Sequence, residues 1–159
     1  MTPPSMSTMW NQYPKDHDKA AVAKVIGGTV EVDVVKYHWD TCCIRTSRAL
    51  NYAGAPVAGF SGLKNEYVPP KVRAIQGGDK KWYIYSVYDM RVYLRNKFGH
   101  PKTYPRRTSK ADMATKGARG IIMFFPHHCD LWDRTEIRYN NDLWGQSKVQ
   151  ELLLWESPA

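Results

Sequence analysis

A chain of 159 residues with 23 Lys and Arg against 15 Asp and Glu carries a formal charge of +8. It is long enough for one domain that buries about two-thirds of its unfolded surface. The charge, with a pI near 9.4, points to an anionic partner: nucleic acid, an acidic lipid surface, or a cell-wall polymer rich in carboxylates and phosphates. Three cysteines, two of them adjacent, exclude a disulfide lattice and suit synthesis in a reducing cytoplasm. No apolar run approaches the roughly 20 residues of a membrane span, and Met1-Thr2-Pro3-Pro4-Ser5 lacks the start of a cleaved signal.

Met1 to about Met9 is small, polar and proline-containing, which predicts a loose terminus. Trp10 and Tyr13 are the first anchors. Asp16 to Ile26 has acidic residues in front and Ala and Val behind, a capped helix closing on Gly27-Gly28, with His17 as a solvated surface residue. Thr29 to Val35 alternates around Val30, Val32 and Val34, which predicts a short strand.

The stretch Asp40 to Gly54 organises the chain. Asp40 or Thr41 caps a helix, Ala49, Leu50 and Ala53 supply its buried stripe, and Gly54 ends it. Cys42 therefore falls in the first turn, where the helix dipole and unpaired backbone donors favour thiolate over thiol. Cys43 is rotated by about 100°, so the pair divides into one reactive thiol and one bystander. The competing interpretation is two small buried residues, and a lone cysteine acquires chemistry only with a histidine from elsewhere.

Ala55 to Pro70 holds several Pro and Gly residues and predicts a loop. Gly77-Gly78-Asp79 turns into an aromatic strand, Lys81 to Val87. Asp89 caps a helix from Met90 to about Phe98 that Gly99 ends. His100 to Lys116, with Arg106-Arg107 and Lys110, is a basic loop, either an electrostatic patch or a solvated surface. Gly120 to Phe125 predicts a central strand, Pro126 to Trp132 a second, Asp133-Arg134 a hairpin turn, Thr135 to Tyr139 its return, and Val149 to Trp155 the last strand. Helices followed by an antiparallel sheet define an α+β fold. No glycine-rich phosphate loop or dinucleotide fingerprint is present.

A cysteine at a helix start, a histidine on a strand packed against it, and a polar residue orienting the imidazole form the papain-like solution for acyl transfer. His128 opens the second strand. His38 is a weaker choice, because sequence neighbours at a helix entrance point apart. Pairing Trp132 with Thr135 sets His128 opposite Tyr139, and one extra residue shifts this to Asn140, whose amide oxygen can hold the histidine tautomer. Two rivals stand beside this. A zinc site from Cys42, Cys43, Cys129, His127 and His128 lacks C-x-x-C or H-x₃-H spacing. A basic nucleic-acid-binding module has charge and aromatics but no stacking motif. No metal or cofactor is expected.

Several segments in order, Val25-Ile26-Gly27-Gly28-Thr29-Val30, Cys42-Cys43-Ile44-Arg45-Thr46-Ser47, Leu50-Asn51 with Gly54-Ala55-Pro56, Trp82-Tyr83-Ile84-Tyr85, Asp89-Met90, Gly120-Ile121-Ile122 and His128-Cys129-Asp130-Leu131-Trp132-Asp133, resemble the type VI secretion amidase effectors of the fourth class. These are small peptidoglycan amidases with an NlpC-like papain fold. The resemblance implies one such domain over 1–159, with 1–9 loose, N-terminal helices packed on an antiparallel sheet, and hydrolysis of the D-glutamyl–diaminopimelate amide of stem peptides. Cys42 matches the family nucleophile and His128 its base. The third member, an aspartate in the family, falls on Asn140 with one inserted residue or on Asp142 with a larger shift. Cys43 has no role. The resemblance further implies an antibacterial effector that lyses target cells. It would be made in the cytoplasm without a signal peptide, secreted, and active in the periplasm of target bacteria. Its partners would be peptidoglycan and a cognate immunity protein, with no nucleic acid and no membrane span. Two departures stand out: Phe125-Pro126-His127 leads directly into the histidine, and Arg134 occupies the place of the usual glycine.

Overall fold

A computed structural model describes residues 1–57, 66–68 and 72–159, the short middle piece as backbone only. The chain begins with a helix, α1 (Met6–Gln12), in which Ser5 Oγ accepts from the Thr8 amide at 3.3 Å. The expected loose terminus is thus corrected to an ordered element. Met6, Met9 and Tyr13 are buried, an i, i+3 stripe extended by the next turn, and the Met6 amide donates to Pro158 O at 2.8 Å.

Helix α2 (Lys19–Ile26) is capped by Asp18, whose carboxylate accepts from the Ala20 and Ala21 amides. Gly27 then takes φ +74, and the chain enters α3 (Gly28–Tyr37). Here the expected strand at Thr29 to Val35 is corrected to helix. Val30 and Val34 lie one turn apart and pack with Val22, Ile26, Ile44, Ile75 and Tyr83. Val32 and Val35 stay exposed. The valines fit both periods, and packing overrides the β preference of branched side chains.

Helix α4 (Cys42–Tyr52) is buried along nearly its whole length. It packs against α1 and against one strand from each of two sheets. The first sheet is a meander of β1 (Glu66–Val68), β2 (Val72–Gln76) and β3 (Trp82–Ile84), so the expected loop from Ala55 to Pro70 contains a strand. The remainder of that loop, 58–65 and 69–70, lies outside the described residues. Asn51 joins helix to sheet, its Nδ2 donating to Trp82 O at 2.8 Å. Helix α5 (Val87–Phe98) starts after Ser86, earlier than Asp89.

The expected basic loop holds β4 (Lys102–Tyr104) and α6 (Lys110–Ala114). Strands β5 (Gly120–Phe125), β6 (His128–Trp132) and β7 (Glu151–Glu156) complete a four-stranded antiparallel sheet in the order β4-β7-β5-β6. One face carries Ile121, Met123, Phe125, Cys129, Leu131, Leu153 and Trp155 toward α4, α1 and α5. The other carries Ile122, Phe124, Trp132, Leu152 and Leu154 into a second cluster with Met113 and Val149. Strand β6 is therefore an edge, which gives its side chains a way round to α4.

The expected return strand from Thr135 to Tyr139 is reduced to one bridge, Trp132 to Ile137, and the Arg138 amide bonded to Leu131 O. The next two amides, of Tyr139 and Asn140, donate to the Asp130 carboxylate at 3.2 and 3.0 Å. A side chain thus takes the place of the ladder and ends it. Arg134, in the turn, has φ +97, a conformation that favours the glycine it replaces.

Candidate active site

Cys42 stands at the N-terminal end of α4. Its amide donates to Asp40 Oδ1 at 3.1 Å, so Asp40 caps the turn while Thr41 makes no side-chain cap bond. Thr41 Oγ1 instead accepts from Arg45 Nε at 2.9 Å. Thr46 Oγ1 donates to Cys42 O at 3.0 Å and lies 3.6 Å from Cys129 Sγ, which fastens the first turn of α4 to β6.

His128, at the head of β6, stands close enough to Cys42 at the mouth of α4 for each to shift the other's proton affinity. Its Nε2 is 2.6 Å from Asp130 Oδ2, which leaves Nδ1 for the sulfur. The Asp130 carboxylate also accepts from the amides of Leu131, Tyr139 and Asn140. A carboxylate held by this many donors is fixed in place and can hold the imidazole in one orientation. Cys42, His128 and Asp130 are all buried, at 3, 2 and 0% exposure.

The side chain set against the His128 ring is that of Asp130, not of Asn140 or Asp142. Asn140 offers His128 no side-chain oxygen: its Oδ1 accepts from the Asp142 amide at 2.8 Å, and its own amide serves Asp130. Asp142 is exposed. The missed residue, Asp130, had a sequence signal in His128-Cys129-Asp130, since residues i and i+2 of a strand share a face. Tyr13 was also missed as part of the site. It is buried, and its charged form is opposed first by burial and then by Asp130 and Cys42, so its pKa is well above the ordinary phenol value. Cys43 turns its sulfur to within 3.8 Å of Cys42 Sγ. His127 is exposed, so the five residues of the zinc reading do not all converge. Among the described residues no group of three or more His, Cys, Asp and Glu is arranged to hold a metal ion.

The electrostatics favour a thiolate–imidazolium pair. The Cys43 hydrogen bond, opposed by burial and joined by His128, brings the Cys42 thiol down to about 6. Burial works against charge on His128, yet the hydrogen bonds of Asp130 and Cys42 overcome it and lift the imidazole to about 10. Around neutral pH the sulfur is a nucleophile and the ring a loaded acid. A groove of about 340 Å³, lined by His17, Tyr139, Asn140, Asn141 and Asp142, opens beside the site, because the Tyr139 ring lies 6.2 Å from that of His128. A larger cavity of about 580 Å³ borders Tyr13 on the α1–α2 side and includes neither Cys42 nor His128.

A thiol at the tip of a buried helix, met by an imidazole from the edge of an antiparallel sheet, belongs to the NlpC-type class of papain-like folds, and the α+β architecture is of that class. Residues 38–155 match the family described as type VI secretion system (T6SS), amidase effector protein 4. The chain belongs to that family of amidase effectors. Among solved structures, it is similar to the effector Tae4 from Salmonella typhimurium in complex with the immunity Tai4 from Enterobacter cloacae. That likeness has 29% identity and a TM-score of 0.77, over 98% of this chain and 99% of that one. The type VI effector–immunity complex Tae4-Tai4 from Salmonella Typhimurium gives 28% and 0.78 over the same shares. The type VI effector Tae4 from Enterobacter cloacae gives 25% and 0.74 over 99% of each chain. No curated protein matches the sequence. Among the described residues no helix is long and apolar enough to cross a membrane.

Proposed function

We propose that this amidase effector hydrolyses the amide between D-glutamate and diaminopimelate in peptidoglycan stem peptides, with Cys42 as nucleophile, His128 as general base and acid, and Asp130 as the group that orients the imidazole. One observation carries the assignment: His128, whose Nε2 rests 2.6 Å from Asp130, set beside the Cys42 thiol at a helix tip, in a chain of this family.

With the proton already on His128 near neutral pH, the Cys42 thiolate attacks the stem-peptide carbonyl carbon. Amides of the first turn of α4 face the developing oxyanion; the Cys42 amide, held by Asp40 in the free protein, is one of them. A well-placed donor of this kind contributes about 3 kcal/mol. The tetrahedral intermediate collapses, His128 gives its proton to the leaving amine, and a thioester remains. Water, deprotonated by His128, then attacks the thioester, releasing the new carboxylic acid, which ionises in solution, and restoring the Cys42 thiolate beside the His128 imidazolium. The charge of +8 favours approach to a carboxylate-bearing polymer.

The effector would act on the walls of target cells, in the periplasm, and lyse them. A producing cell would need a cognate immunity protein, as the complexes of the similar effectors indicate. Incubating wild-type protein and Cys42→Ala with purified sacculi, and weighing the released muropeptides by mass spectrometry, tests the reading. Free diaminopimelate amines and new glutamate carboxyls are expected from the wild type alone. Cleavage at another bond would overturn the specificity, and equal cleavage by Cys42→Ala the mechanism.

A further inference from the structure

Cys43 is not needed for the reaction written above, and as the second of two adjacent thiols it stands outside the expected site. Its position says more. The residue is 1% exposed and its sulfur lies 3.8 Å from Cys42 Sγ. That distance is far beyond the roughly 2.05 Å of a disulfide, and both thiols are free. Staggering on the helix would separate neighbouring side chains by about 100°, yet both lean back toward the N-terminal end, as helical side chains do.

We propose that Cys43 is a positioning residue for Cys42: its S–H donates to the Cys42 sulfur and holds that sulfur as a thiolate aimed at the helix mouth. The proposal deepens the thiol-amidase reading and does not require its substrate.

The neighbours of Cys42 define the need for such a donor. His128 and Cys129 face it from β6, Tyr13 from the end of α1, and Asp40 from the chain ahead of α4. Asp40 carries a charge that opposes a thiolate, and burial opposes it further. The Cys42 amide is already given to Asp40. His128 is the cation of the pair, and Cys43 is the donor on the same helix. The hydrogen bond is the largest cause that lowers Cys42, and together with burial it keeps the proton on Cys43, well above the ordinary thiol range. One sulfur is thereby assigned to carry charge and the other to carry hydrogen. A serine or another donor at position 43 would do the same work, whereas an alanine would not.

The test needs no substrate. Intact protein is alkylated with iodoacetamide from pH 4 to 10, and the rate at Cys42 is followed by peptide mass mapping, with Cys42→Ala as the blank. In the wild type the rate rises with a midpoint near 6. In Cys43→Ala the midpoint moves up by about one pH unit or more, a roughly fivefold or greater slowing at pH 6. Cys43→Ser, which keeps a donor, stays near the wild-type midpoint. Cys43→Val is a second donor-free variant should the alanine protein fail to fold, and thermal melting monitors both. A midpoint unmoved in a folded donor-free variant overturns the proposal, as does a serine variant shifted as far as alanine. Failure of the wild type to cleave sacculi would instead overturn the amidase specificity and leave this result standing.

Discussion

At the scale of single residues, the two candidates for the third member of the site make opposite predictions. Asp130 touches His128 at 2.6 Å, while the Asn140 side chain serves a local turn. Replacing Asp130 with Asn keeps the shape and removes the charge, so kcat/KM on sacculi should fall by about 10²- to 10⁴-fold, as loss of the orienting carboxylate does elsewhere. Asn140→Ala should cost no more than about threefold, the scale of a substitution away from such features. A large loss at Asn140 with none at Asp130 would restore the original expectation. The same pair sets the pH profile. Cys42 is lowered to about 6 and His128 raised to about 10. Activity should therefore rise as Cys42 loses its proton through the lower value and decline as His128 loses its own through the upper. These limbs belong to the coupled pair rather than to either group. In Asp130→Asn the alkaline limb should move down, since the bond that raises His128 is weakened; a limb that stays in place would separate Asp130 from the imidazole.

At the scale of elements, what was legible followed from local signals strong enough to exclude alternatives. The α4 helix announces itself through an acidic cap and an Ala-Leu stripe, and β5 and β7 through short apolar runs that only a buried strand accommodates. Strand β6 was legible too, and with it the place of His128 at its head. The failures have identifiable causes. In α3 the valines satisfy a period of two as well as a helical face, and the choice was made by Ile75 and Tyr83 of another element. The return strand after β6 was stopped by a carboxylate accepting the amides that pairing would use, a tertiary event that no turn signal encodes. The α2–α3 junction carries a prediction of this kind. A Cβ at Gly28 would lie 2.6 Å from backbone atoms of Gly77 and Gly78, at φ +61. Gly28→Ala should cost about 2–4 kcal/mol, adding left-handed strain to an overpacked contact. Gly54→Ala, at φ +90 with nothing within 4 Å of the new atom, should cost only about 1–2 kcal/mol. Denaturant melts of both variants would check the difference, and equal costs would remove the docking of α3 on the Gly77-Gly78 turn from the account.

At the scale of the whole molecule, the excess charge and the closed site act at different ranges. Several cations are matched locally: Lys102 with Glu156, Lys110 with Glu136, Arg91 with Glu151. These exposed or half-exposed pairs contribute little to stability and leave a net +8 that is felt at a distance. The site, in contrast, is buried, and its ion pair is shielded from dissolved salt. Capture of an anionic polymer should therefore weaken with ionic strength while the reactivity of the sulfur does not. Between about 0.01 M salt, where charges act over about 30 Å, and 0.15 M, where they act over about 8 Å, the initial rate on sacculi at limiting substrate should fall several-fold. The alkylation rate of Cys42 by neutral iodoacetamide should change by less than about twofold across the same range. If both rates fell together, salt would be reaching the thiolate–imidazolium pair and the site would be more open than its 3% and 2% exposures imply. If neither fell, the charge would not serve capture of the wall, and its partner would have to be sought elsewhere.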